Sequence, residues 1–363
     1  MKIAITSPRA PIVIEWVKIM QRSGHSVTVV DSLYFPVAKY SQGVHFVKVS
    51  PPKLSFETYK EEIRAIVKEH DLTIPTCEDI FFLSMALVDS DLEHKVFIPE
   101  NKLLFNLHNK FLFKSLMNQY VRVPEMELVS TIKQIDLNKK DTLLKPVFSR
   151  FGRDIVRDVN KNNINGITIS EEYPWVQQQF INGNALCNYS IIQNGEIISH
   201  VVYKPKYLVN GAASTYFEYT ESEKCNRFIE KFAQDTNYNG QVAFDFIDDG
   251  TDLYILECNP RATSGLHLIS DSIEYRDGVF ISNKSKPHER CRVSASIYIM
   301  FGLQYLLSGQ FKELKKDYKK AFNVAKDIPL YAQLLTFLEM FGRMLYYRVP
   351  FTTASTFDIE YDG

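Results

Sequence analysis

Cysteine is scarce and scattered: Cys77, Cys187, Cys225, Cys258 and Cys291 are the only five in 363 residues, with no Cys-x-x-Cys pair among them. That argues against a disulfide frame or a zinc site and fits reduced thiols. Long apolar runs are missing too, and none approaches the roughly 20 residues of a membrane-spanning helix. The opening Met1-Lys2-Ile3-Ala4-Ile5-Thr6-Ser7 lacks the apolar core of a signal peptide. The expectation is a cytoplasmic chain with no membrane span. Charge of one sign is absent: Lys and Arg number 42 against 43 for Asp and Glu, a net charge of −1. That balance argues against nucleic acid as a partner. Internal repeats are absent as well.

What is present is an ordinary globular composition, 45% hydrophobic and 23% charged, in a chain long enough for two or three domains. Residues 3–6 read as a buried strand, followed by a Ser7-Pro8-Arg9 turn. A helix with Ile12, Trp16, Ile19 and Met20 on one face follows, and Ser23-Gly24 stops it. A second strand over 27–30 ends at Asp31, which completes the order of a βαβ unit. The glycine-rich dinucleotide fingerprint is missing from the first turn, so a nicotinamide site is not expected. Arg9 either binds an anionic substrate or sits solvated in its turn. A helix over 59–70, a strand over 72–75 and a helix over 78–87 continue the α/β pattern. Glu78 directly follows a strand, where open α/β sheets hold their ligands, or else serves as a helix-dipole partner. This first domain is expected to span residues 1–100.

From residue 101 the character changes. A helix over 108–120 carries Lys110 in its first turn, where it opposes the helix dipole; a bound phosphate explains it, and a solvated side chain is the plain alternative. A strand over 141–148 holds Lys145-Pro146 and leads into Ser149-Arg150-Phe151-Gly152-Arg153. With the strand-like 154–159 this makes either a hairpin lid over phosphates, at about 141–160, or an exposed basic turn. Trp175-Val176-Gln177-Gln178-Gln179-Phe180-Ile181 is a strand before the turn Asn182-Gly183-Asn184. Residues 186–193 and 196–202 form a hairpin around Asn194-Gly195, and Lys204 and Lys206 follow it.

The stretch 253–265 is a short apolar strand that delivers Glu257, Asn259 and Arg261 at alternate positions, hence on one face. Asp245 lies on the preceding strand, joined to it by Asp248-Asp249-Gly250. Facing carboxylates repel unless a cation sits between them, hard oxygen donors suit Mg²⁺, and arginine forks onto phosphate oxygens. His267 just beyond either binds substrate, acts as a base, or is structural. Helices over 293–307 and 331–347, separated by a charged linker at 312–320, are expected to pack on the core or a second subunit rather than a membrane. Residues 357–362 read as an acidic tail or an edge strand.

In this order the pieces resemble the ATP-grasp superfamily, of the carboxylate–amine ligase type with a carbamoyl-phosphate-synthase-like ATP-binding domain, over residues 1–270. The resemblance implies an α/β chain with three parts. These are a Rossmann-like pre-ATP-grasp domain, a two-subdomain α+β ATP-grasp fold over 101–275, and a helical region over 276–363. Carried over residue by residue, Lys110 and Lys145 resemble the lysines that contact the nucleotide, and Ser149, Arg150, Phe151 and Gly152 the lid over its phosphates. Gln178, Gln179, Phe180 and Ile181 resemble the segment that reads the adenine edge, and Asn184 stands where members often place a ribose-binding acid. Asp245, Glu257 and Asn259 match the ligands of Mg²⁺, for which Mn²⁺ can substitute, and Arg261 matches the arginine beside the transferred phosphoryl group. Arg261 and Lys145 are then the catalytic residues, and Arg9, Glu78, Lys206 and His267 are candidates for substrate contacts.

The implied activity is an ATP-dependent ligase that converts a small carboxylate to an acyl phosphate and joins it to an amine, releasing ADP and phosphate. One alternative is bicarbonate activation of the carboxylase or carbamoyl-phosphate kind, although the chain has neither a second grasp copy nor a Met-Lys-Met biotin site. The other is a non-catalytic, nucleotide-dependent scaffold. The partners implied are small-molecule substrates, with a homodimer through the C-terminal helices as one option.

Overall fold

The computed structural model describes residues 1–149, 154–160, 162–208, 214–283 and 285–363. Its N-terminal part runs β1 (Lys2–Thr6), α1 (Ile12–Arg22), β2 (Ser26–Asp31), β3 (Val44–Lys48), α2 (Phe56–Glu69), β4 (Leu72–Ile74) and α3 (Asp79–Leu87). The four strands pair in parallel in the order β3-β2-β1-β4. β1 and β4 are short apolar runs because helices cover both faces of a parallel sheet.

Two helices, α4 (Asn101–His108) and α5 (Lys110–Met117), lead into an antiparallel sheet. It contains β5 (Met126–Val129), β6 (Thr142–Pro146), β7 (Val156–Arg157) and β8 (Trp175–Gln179), in the order β5-β8-β6-β7. β6 and β7 pair through Leu143 with Arg157 and Leu144 with Val156. Arg150, Phe151 and Gly152 of the expected lid lie outside the described residues.

The largest sheet begins with the hairpin of β9 (Asn184–Gln193) and β10 (Glu196–Lys206). Asn194 and Gly195, at φ 51° and 79°, make the left-handed turn that an Asn-Gly pair favours. β11 (Tyr216–Thr220), α6 (Glu223–Thr236), β12 (Gly240–Asp248), β13 (Leu253–Asn259) and α7 (Leu266–Ile269) follow. A small hairpin of β14 (Ile273–Arg276) and β15 (Val279–Ser282) precedes β16 (Arg290–Arg292), α8 (Ser296–Leu307), α9 (Phe311–Lys320), β17 (Phe322–Asn323), α10 (Leu330–Tyr347) and α11 (Phe351–Ala354). The described strand order is β13-β12-β9-β10-β11-β16-β17.

One face of this sheet packs on α6 through Phe228, Phe232, Phe244 and Phe246. The other face shares a core with α1, where Trp16 meets Tyr189 and Tyr203. Trp16 Nε1 and the Tyr189 hydroxyl donate to Gln241 Oε1 at 2.8 and 2.7 Å, and Gln241 Nε2 donates to the Pro75 carbonyl at 2.9 Å. The N-terminal part and the large sheet are therefore joined through Gln241, which fixes the end of β4 relative to β12.

Two C-terminal expectations are corrected. Residues 312–320 are helical rather than a linker, because Leu314 and Asp317 fall on one buried side of α9. Residues 357–362 form neither a tail nor an edge strand. The Arg9 guanidinium binds both Asp31 and Asp358, with its Nη1 at 2.8 Å from Asp358 Oδ1, and Arg343 also reaches Asp358. Tyr361 packs its ring on Phe81, Phe105 and Phe148. The end of the chain is thereby folded back onto its beginning.

Burial raises the Asp358 carboxyl, yet Arg9 and Arg343 hold it down at about 2. Its stabilising contribution is complete above the unfolded value of about 3.9 and is lost as pH falls towards 2. Asp358→Ala leaves the buried Arg9 charge undercompensated, with an expected loss of about 3–5 kcal/mol in denaturant unfolding at neutral pH. The gap between native and variant should close on acidification; a gap that is unchanged at low pH contradicts the pairing.

Candidate active site

The centre of the site is a row across the large sheet. Register places Asp245 of β12 directly opposite Glu257 of β13, and a bulge follows on the Ile255 side. Asp245 is also opposite Cys187 of β9, which is opposite Tyr203 of β10. Antiparallel partners point to the same face, so the four side chains line one strip. Burial, followed by the Glu257 charge, pushes the Asp245 carboxyl up to about 7. Burial acts upward on Glu257 as well, but Lys110 and Lys145 outweigh it and hold that carboxyl below its ordinary value.

The two lysines arrive from separate elements. Asn109 caps α5 by accepting from the amides of Phe111 and Leu112, which fixes the first turn. Lys110 Nζ lies 3.4 Å from Glu257 Oε2 and donates to the Ser149 carbonyl at 2.7 Å. Lys145 of β6 is buried, and its Nζ lies 3.4 Å from the Leu256 carbonyl. Burial pushes this ammonium down to about 8; Glu257 opposes that and Lys110 adds to it. A buried lysine held this far down is what a nearby phosphate would restore to full charge.

At the open end of β13, Asn259 Nδ2 donates to Asp245 Oδ2 at 3.4 Å, and Arg261 Nη2 donates to Asn259 Oδ1 at 3.0 Å. Arg261 Nε donates to Glu78 Oε1 at 2.8 Å. Glu78 stands just before α3 in the N-terminal part, so this ion pair ties the two sheets together at the site. His108 Nε2 is 4.0 Å from the other Glu78 oxygen and 3.1 Å from the Tyr361 carbonyl.

A profile of the ATP-grasp domain matches residues 107–265. The chain contains an ATP-grasp domain. The fold is also that of N5-carboxyaminoimidazole synthetase from Staphylococcus aureus complexed with ADP, at 14% identity and a TM-score of 0.60 over 76% of this chain and 74% of that one. L-amino acid ligase from Bacillus licheniformis superposes at 18% identity and a TM-score of 0.56, over 75% of this chain and 70% of that one. N5-carboxyaminoimidazole ribonucleotide synthetase from Thermotoga maritima does so at 15% and 0.56, over 75% and 72%. At these identities the likeness speaks for the fold. Among curated proteins no sequence match reaches significance.

Within the ATP-grasp domain, Gln178 is buried on the Lys145 face of β8, and its Oε1 has no hydrogen-bond partner among the described residues. Gln177, on the other face, pins residue 136 through both its amide atoms. The amides of Gln179 and Phe180 donate to the Glu125 and Asp141 carbonyls at 2.7 Å, so these two N–H groups are not offered to a ligand here. Phe180 and Asn184 are exposed and Ile181 is half-buried at the rim. Ser149 offers its carbonyl to Lys110 and donates its hydroxyl to the Pro146 carbonyl.

Three further candidates are engaged elsewhere. Arg9 is held by Asp31 and Asp358, Lys206 Nζ lies 2.6 Å from Asp317 and 3.5 Å from Glu313, and His267 Nδ1 lies 3.1 Å from Glu15 in the α1 core. Two residues of the central strip, Cys187 and Tyr203, carry no motif that points to them. Only the pairing of β9 with β12, distant in sequence, brings them beside Asp245.

The donor set fits a divalent cation. Two facing carboxylates, one of them pushed up to about 7, and an amide oxygen are hard donors, and a cation relieves the repulsion between the carboxylates. Without metal, folding takes up the Asp245 proton between about pH 3.9 and pH 7, and stability from this group falls as pH rises. Asp245→Asn should therefore stabilise the metal-free protein at pH 8 by roughly 1–2 kcal/mol in thermal unfolding, the usual behaviour of strained site residues. Destabilisation at that pH would mean that the carboxylate is a structural partner.

Proposed function

We propose that the protein is an ATP-dependent ligase that activates a small carboxylate as an acyl phosphate and couples it to an amine. The observation that carries this reading is the convergence of Lys110, Lys145 and Arg261 on the half-buried Asp245–Glu257 pair, cations and paired carboxylates together. Asp245, Glu257 and Asn259 would hold magnesium, which neutralises phosphate charge; manganese satisfies the same hard donors.

Lys110 and Lys145 bind the nucleotide phosphates, and their burial strengthens that attraction. A substrate carboxylate oxygen attacks the γ-phosphorus as the bond to the β-phosphate oxygen breaks, giving acyl phosphate and ADP. Arg261, oriented by Glu78 and Asn259, stabilises charge on the transferring group. The amine then attacks the acyl carbon, its proton passes to solvent, and phosphate leaves. Glu78 acts here as a positioning residue. Arg9 and Lys206 are each held by two acids, which favours a small substrate without a phosphate tail of its own.

Bicarbonate is a second reading, supported by the fold shared with enzymes named carboxyaminoimidazole synthetases. Both readings meet in one assay: ADP and phosphate release with magnesium across a panel of carboxylates, amines and bicarbonate. Acid- and amine-dependent release is expected, and Glu257→Ala should lower it by a factor of at least about 100 while the fold remains. Stimulation by bicarbonate alone moves the assignment to carboxylation. Nucleotide binding with no turnover in any mixture counts against the ligase.

A further inference from the structure

The C-terminal helices reverse the usual distribution of polarity. α8 carries no charged residue, and its outward side presents Ile299, Leu303 and Leu307, which are 82%, 71% and 80% exposed. Its inward side is held by Ile297, with Tyr298, Phe301 and Tyr305 packed nearby. In α10 both charged residues face the protein. Glu339 accepts from the amides of Tyr34 and Phe35 at 2.8 and 2.7 Å, and Arg343 Nε donates to the Ala354 carbonyl at 3.0 Å. The outward stripe of α10 is Leu330, Leu334, Phe337, Phe341 and Leu345, all exposed. Helices that turn charge inward and apolar side chains outward are built to meet something other than water.

Charge decides what that is. α9 is joined to α8 by a short turn, and its two acids, Glu313 and Asp317, both engage Lys206. Lys312, Lys315, Lys316, Lys319 and Lys320 are exposed. The outward charge of the hairpin is therefore positive and lies beside an uncharged apolar ridge. At 12 residues, α8 is about 18 Å long. No helix among the described residues is long and apolar enough to cross a membrane.

We propose that the α8–α9 hairpin docks on an anionic lipid surface. The apolar ridge of α8 enters the interface in its plane, and the lysines of α9 meet the headgroups. A second copy of the chain carries the same exposed lysines and offers them no opposite charge, whereas an anionic surface does.

The test is flotation of the full-length chain with vesicles of phosphatidylcholine, alone or mixed with phosphatidylglycerol. Binding is expected with the anionic vesicles and should fall as salt is raised. Leu303→Glu/Leu307→Glu should abolish flotation, and Lys315→Gln/Lys316→Gln should weaken it about fivefold per lysine. Retained nucleotide binding by these variants shows that the fold is intact, since the substitutions lie on α8 and α9, apart from the proposed nucleotide site. No flotation on anionic vesicles overturns the proposal, as does flotation that both variants leave unchanged. A dimer in sedimentation that Leu303→Glu/Leu307→Glu dissolves, without vesicle binding, assigns the face to a second copy instead.

Discussion

Asp245 and Glu257 face each other across a strand pair that leaves them no other arrangement. Two like charges in a half-buried position are costly, and the surrounding structure is arranged around that cost. Lys110 and Lys145 settle Glu257 as a carboxylate, whereas Asp245 keeps its proton to about pH 7. An aromatic core on one face of the sheet and the Trp16–Gln241–Tyr189 contacts on the other hold the strip rigid. The repulsion between these two carboxylates is of the kind that a cation and a polyphosphate relieve together.

The same logic explains why the site draws on so many elements. Lys110 comes from a helix start, Lys145 from the smaller sheet, the carboxylates from the larger sheet, and Glu78 from the N-terminal domain. A phosphate chain bound between them would close the gap between two sheets that β6 and β13 bring close at Lys145 and Leu256. The tie between Glu78 and Arg261 couples the orientation of the N-terminal part to the arginine proposed to meet the transferring group.

Much of this frame was legible in local sequence. Asp245 and Glu257 flank an Asp-Asp-Gly turn, so their strands had to pair, and the alternation of Glu257 and Asn259 follows from strand period. The Asn-Gly hairpin of β9 and β10 follows from turn chemistry in the same way. What could not be read depends on distant pairing. Cys187 reaches Asp245 only through register, and the partner that takes Arg9 out of the turn, Asp358, lies 349 residues away. Lysine density made α9 resemble a linker because its helix depends on inward-facing Leu314 and Asp317. The apolar character of α8 and α10 was plain, but its outward direction was not. Periodicity gives the stripe and leaves open which side the protein covers.

In the proposed function, Asp245, Glu257 and the two buried lysines form one metal-dependent nucleotide site. Calorimetric titration of the full-length chain with a non-hydrolysable ATP analogue, with and without magnesium, tests it most directly. The native protein should bind the analogue more tightly with magnesium, and Glu257→Ala should bind it with an affinity that magnesium no longer changes. The same magnesium dependence in both proteins would contradict the account.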